Sequence, residues 1–273
     1  MDFPFLNCIT SAENFSARQV MALLEYHHDM TYILFNLQKF DEEIQKITEK
    51  KMVAHYLSTR ELDNLAAFSS DKRKREWLGG RFAAKFAAAG ALVQRGNPLP
   101  WSGLTVLADK NGRPFLAADT KSTALPDISI SHSGSMAAAM AVSKGFCGID
   151  IQKVTDRVVK VRERFCSPDE EHIIQSFFSA SGEKQSSALT RLWAAKEALR
   201  KAANTSSLPG FLELELTEIN KGSAFRLAAP WRFVFMWNHR DLNGYPVTEK
   251  CYAAVSLIAD YALALTARND SVI

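Results

Sequence analysis

One order of local signals occurs twice in this chain, so any fold it adopts must accommodate two similar halves. An apolar strand signal, Tyr32-Ile33-Leu34-Phe35-Asn36-Leu37, is followed by Ser58-Thr59-Arg60-Glu61. There a hydroxyl and a carboxylate three apart can satisfy free N–H groups at a helix start. Asp71 to Gln94 reads as one long helix ended by Gly96-Asn97-Pro98. Asn111-Gly112-Arg113-Pro114 reads as a hairpin turn. Ile128-Ser129-Ile130-Ser131 and Met136 to Val142 read as strands joined by His132-Ser133-Gly134-Ser135. The series then returns. Phe35-Asn36-Leu37-Gln38-Lys39-Phe40 is matched by Ile149-Asp150-Ile151-Gln152-Lys153-Val154, and the capping pattern by Ser167-Pro168-Asp169-Glu170. Trp77, Arg81 and Lys85 stand at the same four-residue steps as Trp193, Glu197 and Lys201, and Met136-Ala137-Ala138-Ala139 resembles Tyr252-Ala253-Ala254-Val255. Matched positions lie roughly 110 to 116 apart. The pattern predicts an α+β pseudo-dimer: an N-terminal extension over 1–30, a first half over 31–145 and a second over 146–273, related by a pseudo-twofold axis. The cleft between the halves is the expected site, since ligands favour such interfaces. Two unrelated α+β segments with ordinary caps are the alternative.

Composition narrows the function. With 273 residues, 47% hydrophobic and 23% charged, the chain can bury a sizeable core. Cys8, Cys147, Cys166 and Cys251 show neither zinc spacing nor a Cys-x-x-Cys pair, which suggests reduced thiols and a cytoplasmic protein. Met1-Asp2-Phe3-Pro4 lacks the basic flank and apolar run of a signal peptide, and the apolar run from Cys251 to Ala267 is interrupted by Asp260. A net charge of +3 is low for a general nucleic-acid binder. Lys72-Arg73-Lys74-Arg75 fits better as a cationic helix start near an anionic ligand, or as a dock for an acidic protein.

The candidate chemistry sits in two segments, Gly148-Ile149-Asp150-Ile151-Gln152 and Trp193 to Lys201. In a strand, Asp150 and Gln152 share a side, between isoleucines that face a core. A charge there needs a partner, either a divalent cation or a Lys or Arg. Trp193, Glu197 and Lys201 share one helix stripe, read either as a surface ion pair or as part of a site. In the first half the matching stripe pairs two cations, Arg81 and Lys85, and an anion between them would offset their repulsion. Arg113 could add a third cation. His132, among Ser131, Ser133 and Gly134, has small neighbours and open backbone N–H groups suited to phosphate.

Asn111-Gly112-Arg113-Pro114, Ile130-Ser131-His132-Ser133-Gly134, Gly148-Ile149-Asp150 and Trp193-x-x-Lys196-Glu197-Ala198-x-x-Lys201, in that order, resemble the 4′-phosphopantetheinyl transferase superfamily. The similarity is to its large monomeric surfactin-synthetase type rather than to the small trimeric holo-acyl-carrier-protein synthases. The resemblance implies transfer of phosphopantetheine from coenzyme A to a serine of an acidic acyl or peptidyl carrier protein. It implies a monomer in transient contact with that carrier, and no nucleic-acid or membrane partner. It places Mg²⁺, or Mn²⁺, on Asp150 and Glu197, with Glu197 also taking the serine proton. Lys196 and Lys201 fall on phosphate contacts, and Arg81, Lys85, Arg113, Ser131 and His132 on the 3′-phosphate and adenine side. Gln152 departs from many bacterial members, which carry a second strand carboxylate there. A neutral amide oxygen contributes less charge to a metal. A coenzyme A- or carrier-binding protein with weakened catalysis is the second reading.

Overall fold

The computed structural model describes residues 5–10, 16–46, 55–94, 96, 99–118, 124–178, 182–203, 208–221, 230–240 and 244–269. The chain divides into two units, Met1–Ser11 with His28–Lys144, and Ala12–His27 with Gly145–Ile273. The segment before residue 31 is thus shared. Its helix α1 (Ala17–Leu24) belongs to the second unit, while the short strand β1 (Ile9–Thr10) pairs with the first unit's β2 (Met30–Asn36).

In the first unit an antiparallel sheet runs in the order β1, β2, β6 (Met136–Val142), β5 (Asp127–Ser133). Helix α2 (Leu37–Lys46) follows β2 directly. Asn36 Oδ1 accepts from the N–H groups of Gln38 and Lys39, both at 3.0 Å, and so caps it. The sequence match between 35–40 and 149–154 therefore ends at Asn36: one chain turns into a helix where the other continues as strand. Helix α3 (Thr59–Ala66) opens with the expected capping box at Ser58 and Glu61. Helix α4 covers Asp71–Gln94, the predicted span. It lays Phe82, Ala83, Ala84, Ala87, Ala88 and Ala91 in one core with Ala137, Ala139 and Ala141 of β6. Strands β3 (Leu104–Ala108) and β4 (Pro114–Ala118) form a separate hairpin, whose turn has Gly112 at φ +83°. Strand β5 runs on through Ser133, so His132 lies in a strand end, and only Gly134 and Ser135 form the turn.

The second unit repeats the order with one extended sheet: β7 (Phe146–Lys153), β11 (Tyr261–Arg268), β10 (Pro246–Ile258), β9 (Trp231–Arg240), β8 (Leu214–Lys221). After β7 come a short helix α5 (Arg157–Lys160), α6 (Pro168–Phe178), with its capping box at Ser167 and Glu170, and α7 (Gln185–Ala202). The strand paired with β2 is β6 and the strand paired with β7 is β11. Met136–Ala139 therefore corresponds in topology to the start of β11 rather than to Tyr252–Val255, which lies on β10.

The duplication is clearest in a buried clasp. In the first unit Lys85 Nζ donates to Glu61 Oε2 (2.6 Å), Tyr56 O (2.7 Å) and Trp101 O (3.2 Å). Glu61 Oε2 also closes the capping box on Ser58 N, and its Oε1 accepts from Val106 N of β3 at 3.0 Å. In the second unit Lys196 Nζ binds Glu170 Oε1 (2.6 Å), Phe165 O (2.7 Å) and Phe211 O (3.0 Å). Glu170 caps at Ser167 and accepts from Leu216 N of β8 at 2.8 Å. All four side chains are buried. Burial pulls both lysines below their ordinary range, and the paired carboxylates pull them part of the way back. Lys85 is thus the counterpart of Lys196, not of Lys201, and the helices align one residue and one turn away from the match the tryptophans suggested.

Removing one member of such a pair leaves an uncompensated buried charge. Glu170→Gln is expected to cost about 3 to 5 kcal/mol in urea unfolding, and Glu170→Leu combined with Lys196→Met to recover most of that loss.

Candidate active site

Asp150 and Glu197 meet because a strand and a helix approach unusually closely. A Cβ at Gly148 would lie 1.9 Å from Ala198 O and 3.1 Å from Ala202 N, so only glycine lets β7 lie this near the last turns of α7. Gly148, Asp150 and Gln152 alternate onto that helix-facing side. Asp150 pairs across the sheet with Ala264, and Gln152 with Ala262, both in the core beneath the helices. Ile149 and Ile151 are buried on the opposite face. Asp150 is therefore a buried carboxylate. It is 6% exposed, on a strand covered on both sides.

The charge acquires partners from α7. Lys201 Nζ donates to Asp150 Oδ1 at 2.8 Å and to Ile149 O at 2.9 Å. Glu197, half-buried one turn earlier, accepts from Arg200 Nη1 at 2.9 Å. Its carboxyl is held above the ordinary glutamate range, first by burial and then by the negative charge of Asp150; Arg200 and Lys201 oppose the rise. Two carboxylates from separate elements thus repel one another, and two cations only partly offset it. A hard divalent cation suits this all-oxygen set, because Mg²⁺ commonly takes one or two carboxylates and completes its shell with phosphate and water. Gln152, half-buried, stands two residues further along the same strand face. Among the described residues no cluster of three or more His, Cys, Asp or Glu side chains forms a metal cage.

Two residues expected at phosphates are placed elsewhere. Lys85 and Lys196 are fully buried with their ammonium donors committed to the clasps. Lys196 instead holds the helix that carries its neighbour Glu197. Arg81 is half-buried, stacked at 4.0 Å over Trp77, and pulled down to about 10 by burial. Its buried Nε has no hydrogen-bond partner among the described residues. Arg113 pairs with Asp127 at the start of β5 (2.7 Å), whereas buried Ser131 and exposed His132 lie at that strand's far end. At about 3.4 Å per residue, Asp127 and His132 stand roughly 17 Å apart, so the structure does not gather Arg113 and His132 at one point.

The structure also adds a residue that pattern reading passed over. Arg200 Nε donates to Pro209 O at 2.7 Å, and its guanidinium lies 4.2 Å from the centre of the Phe211 ring. An arginine three residues after the key glutamate was the available signal, but an i, i+3 pair by itself reads as surface decoration.

A family model described as the 4′-phosphopantetheinyl transferase superfamily matches residues 146–266. The holo-[acyl-carrier-protein] synthase of Bacillus subtilis is 36% identical over 95 residues, which cover 34% of this chain and 78% of that protein. That of Halalkalibacterium halodurans is 35% identical over 108 residues, covering 37% and 85%. A solved holo-(acyl-carrier-protein) synthase from Bacillus anthracis, in complex with CoA (3′,5′-ADP), is 26% identical with a TM-score of 0.34, covering 41% of this chain and 92% of that one.

The raised carboxyl of Glu197 has a consequence for stability. A raised folded-state value means that ionisation works against the fold as pH climbs through it, while below the unfolded value near 4.5 the group is neutral in both states. Glu197→Gln is therefore expected to be at least as stable as the parent at pH 7, with the difference shrinking as pH falls towards 4.5. Denaturant midpoints measured across that range check it.

Proposed function

The chain belongs to the 4′-phosphopantetheinyl transferase superfamily, and on that premise we propose that it moves the 4′-phosphopantetheine group of coenzyme A onto a serine of an acyl or peptidyl carrier protein, releasing adenosine 3′,5′-bisphosphate. The observation that carries this reading is the facing pair Asp150 and Glu197 with Lys201 beside them. In the reaction the serine oxygen attacks the phosphorus that bears the pantetheine. A new P–O bond forms to the serine, and the bond to the nucleotide's phosphate oxygen breaks. The leaving group keeps that electron pair. Glu197, whose raised carboxyl makes its carboxylate a stronger base than an ordinary glutamate, is suited to take the serine proton, directly or through a water. The Lys201 ammonium, partly exposed, can leave Asp150 for phosphate oxygen.

Asp150 and Glu197, with Gln152 as a weaker third donor, would hold Mg²⁺ or Mn²⁺. The ion supplies neutralisation of pyrophosphate charge. Arg81, Arg113, Ser131 and His132 remain assigned to coenzyme binding on the strength of the motifs alone. The finer assignment, to the large surfactin-synthetase type, is supported by the clasp that occurs once in each unit of this one chain. The B. subtilis relative aligns over 34% of this chain but 78% of its own length, as expected where a relative is about one unit long.

The decisive experiment is intact mass measurement of an apo carrier protein incubated with this protein, coenzyme A and Mg²⁺. The carrier is expected to gain one phosphopantetheine, and the gain to be lost with EDTA and in Glu197→Ala. Coenzyme A binding without any mass gain across several carriers would instead favour a protein that binds but does not transfer.

A further inference from the structure

Arg200 makes three contacts that a solvated surface arginine would not combine. Its Nη1 donates to Glu197 Oε1 at 2.9 Å, its Nε donates to Pro209 O at 2.7 Å, and its guanidinium plane rests on Phe211 at 4.2 Å. The pair is mostly out of water, with side chains 18% and 22% exposed. The segment that receives the arginine is itself fixed. Phe211 O accepts from the buried Lys196, and the Phe211 ring stacks on Trp193 at 4.7 Å. Gly210 N donates to Glu213 Oε2 at 3.0 Å. Arg200 is therefore held by a rigid support on one side and grips one oxygen of Glu197 on the other.

We infer that Arg200 is a positioning residue for the transfer reaction: it fixes the rotamer of Glu197 so that the carboxylate is presented towards Asp150. Coulomb's law alone allows a competing role, in which Arg200 is only a counter-ion that a metal would have to displace. The two roles differ in sign. A counter-ion's removal tightens metal binding, whereas removal of a positioning partner weakens it, with losses on the order of 10- to 100-fold in metal affinity or activity for such outer contacts. They also differ in chemistry. Lysine keeps the charge but has one compact ammonium, which cannot bond Pro209 O, bond Glu197 and stack on Phe211 together.

The inference rests on the transferase reading. The test measures Mn²⁺ binding by EPR with coenzyme A present and no carrier protein, so no turnover is involved. Turnover with carrier is followed separately. For Arg200→Gln and Arg200→Lys alike, Mn²⁺ affinity and kcat are each expected to fall on the order of 10-fold, while KM for coenzyme A stays within about twofold. Thermal melting confirms that each variant is folded, and either folded variant suffices. Tighter Mn²⁺ binding in Arg200→Gln, full rescue by lysine, or no Mn²⁺ binding by the parent protein would overturn the inference. A parent protein that binds Mn²⁺ and coenzyme A but modifies no carrier would overturn the transferase reading and leave the role of Arg200 to the binding data.

Discussion

The buried ammonium–carboxylate clasp is the constraint from which the rest of each unit follows. The helix–sheet contacts it organises are built largely from small residues. Alanines of α4 face alanines of β6, and Ala194, Ala195 and Ala198 of α7 share a core with Ala253, Ala262 and Ala264. Such surfaces allow close approach, but their low relief does little to choose among helix rotations and translations. A lysine that must reach a glutamate and two carbonyl oxygens accepts only one. Desolvating the pair is costly, and a hydrophobic replacement could equal it in stability. The gain is register: Glu170 joins a helix N-terminus, a lysine on α7 and the first residues of β8 in one carboxylate.

That register is what aims the chemistry. Glu197 directly follows Lys196, so the rotation that buries the ammonium turns the next side chain about 100° round the helix, towards β7. Lys201 then falls over Asp150. A side chain at position 148 would hold the strand away, and Gly148 has none. Fold and site are thus joined by adjacent residues, and a shift of α7 by one position would disperse the acids and cations together.

Much of this was legible in the sequence because local rules were obeyed. The two capping boxes, the 24-residue helix and the Gly112 turn formed where periodicity and turn chemistry put them, and strands β5 and β6 paired as expected, with β5 running two residues further, through Ser133. Correspondence between the halves was harder to read. The sequence match sets Asn36 against Asp150, yet Asp150 faces its helix while Asn36 pairs with Met136 outside the core that holds Ile33 and Phe35. A one-residue slip in a strand reverses every side chain, and short apolar runs do not fix their own register. The clasp roles of Lys85 and Lys196 are hidden in the sequence for a related reason. Their partners come from Glu61 and Glu170, 24 and 26 positions away, plus carbonyl oxygens, and carbonyls leave no mark in a sequence.

The comparison of the two units separates scaffold from chemistry. The first keeps the whole clasp, but the residue after its lysine is Phe86, which packs against Trp101, and the helix-facing positions of β2 are Thr31, Ile33 and Phe35. Among the described residues those strand positions carry no carboxylate to pair with one on that helix, and Gly90 stands five residues after Lys85, where Lys201 follows Lys196. The second unit carries Asp150 beside Glu197 and the resulting repulsion, which Lys201 and Arg200 offset only in part. A fold that is complete without an acid pair has no structural need for one. The unfavourable charges of the second unit are therefore better explained by what they hold than by what they stabilise.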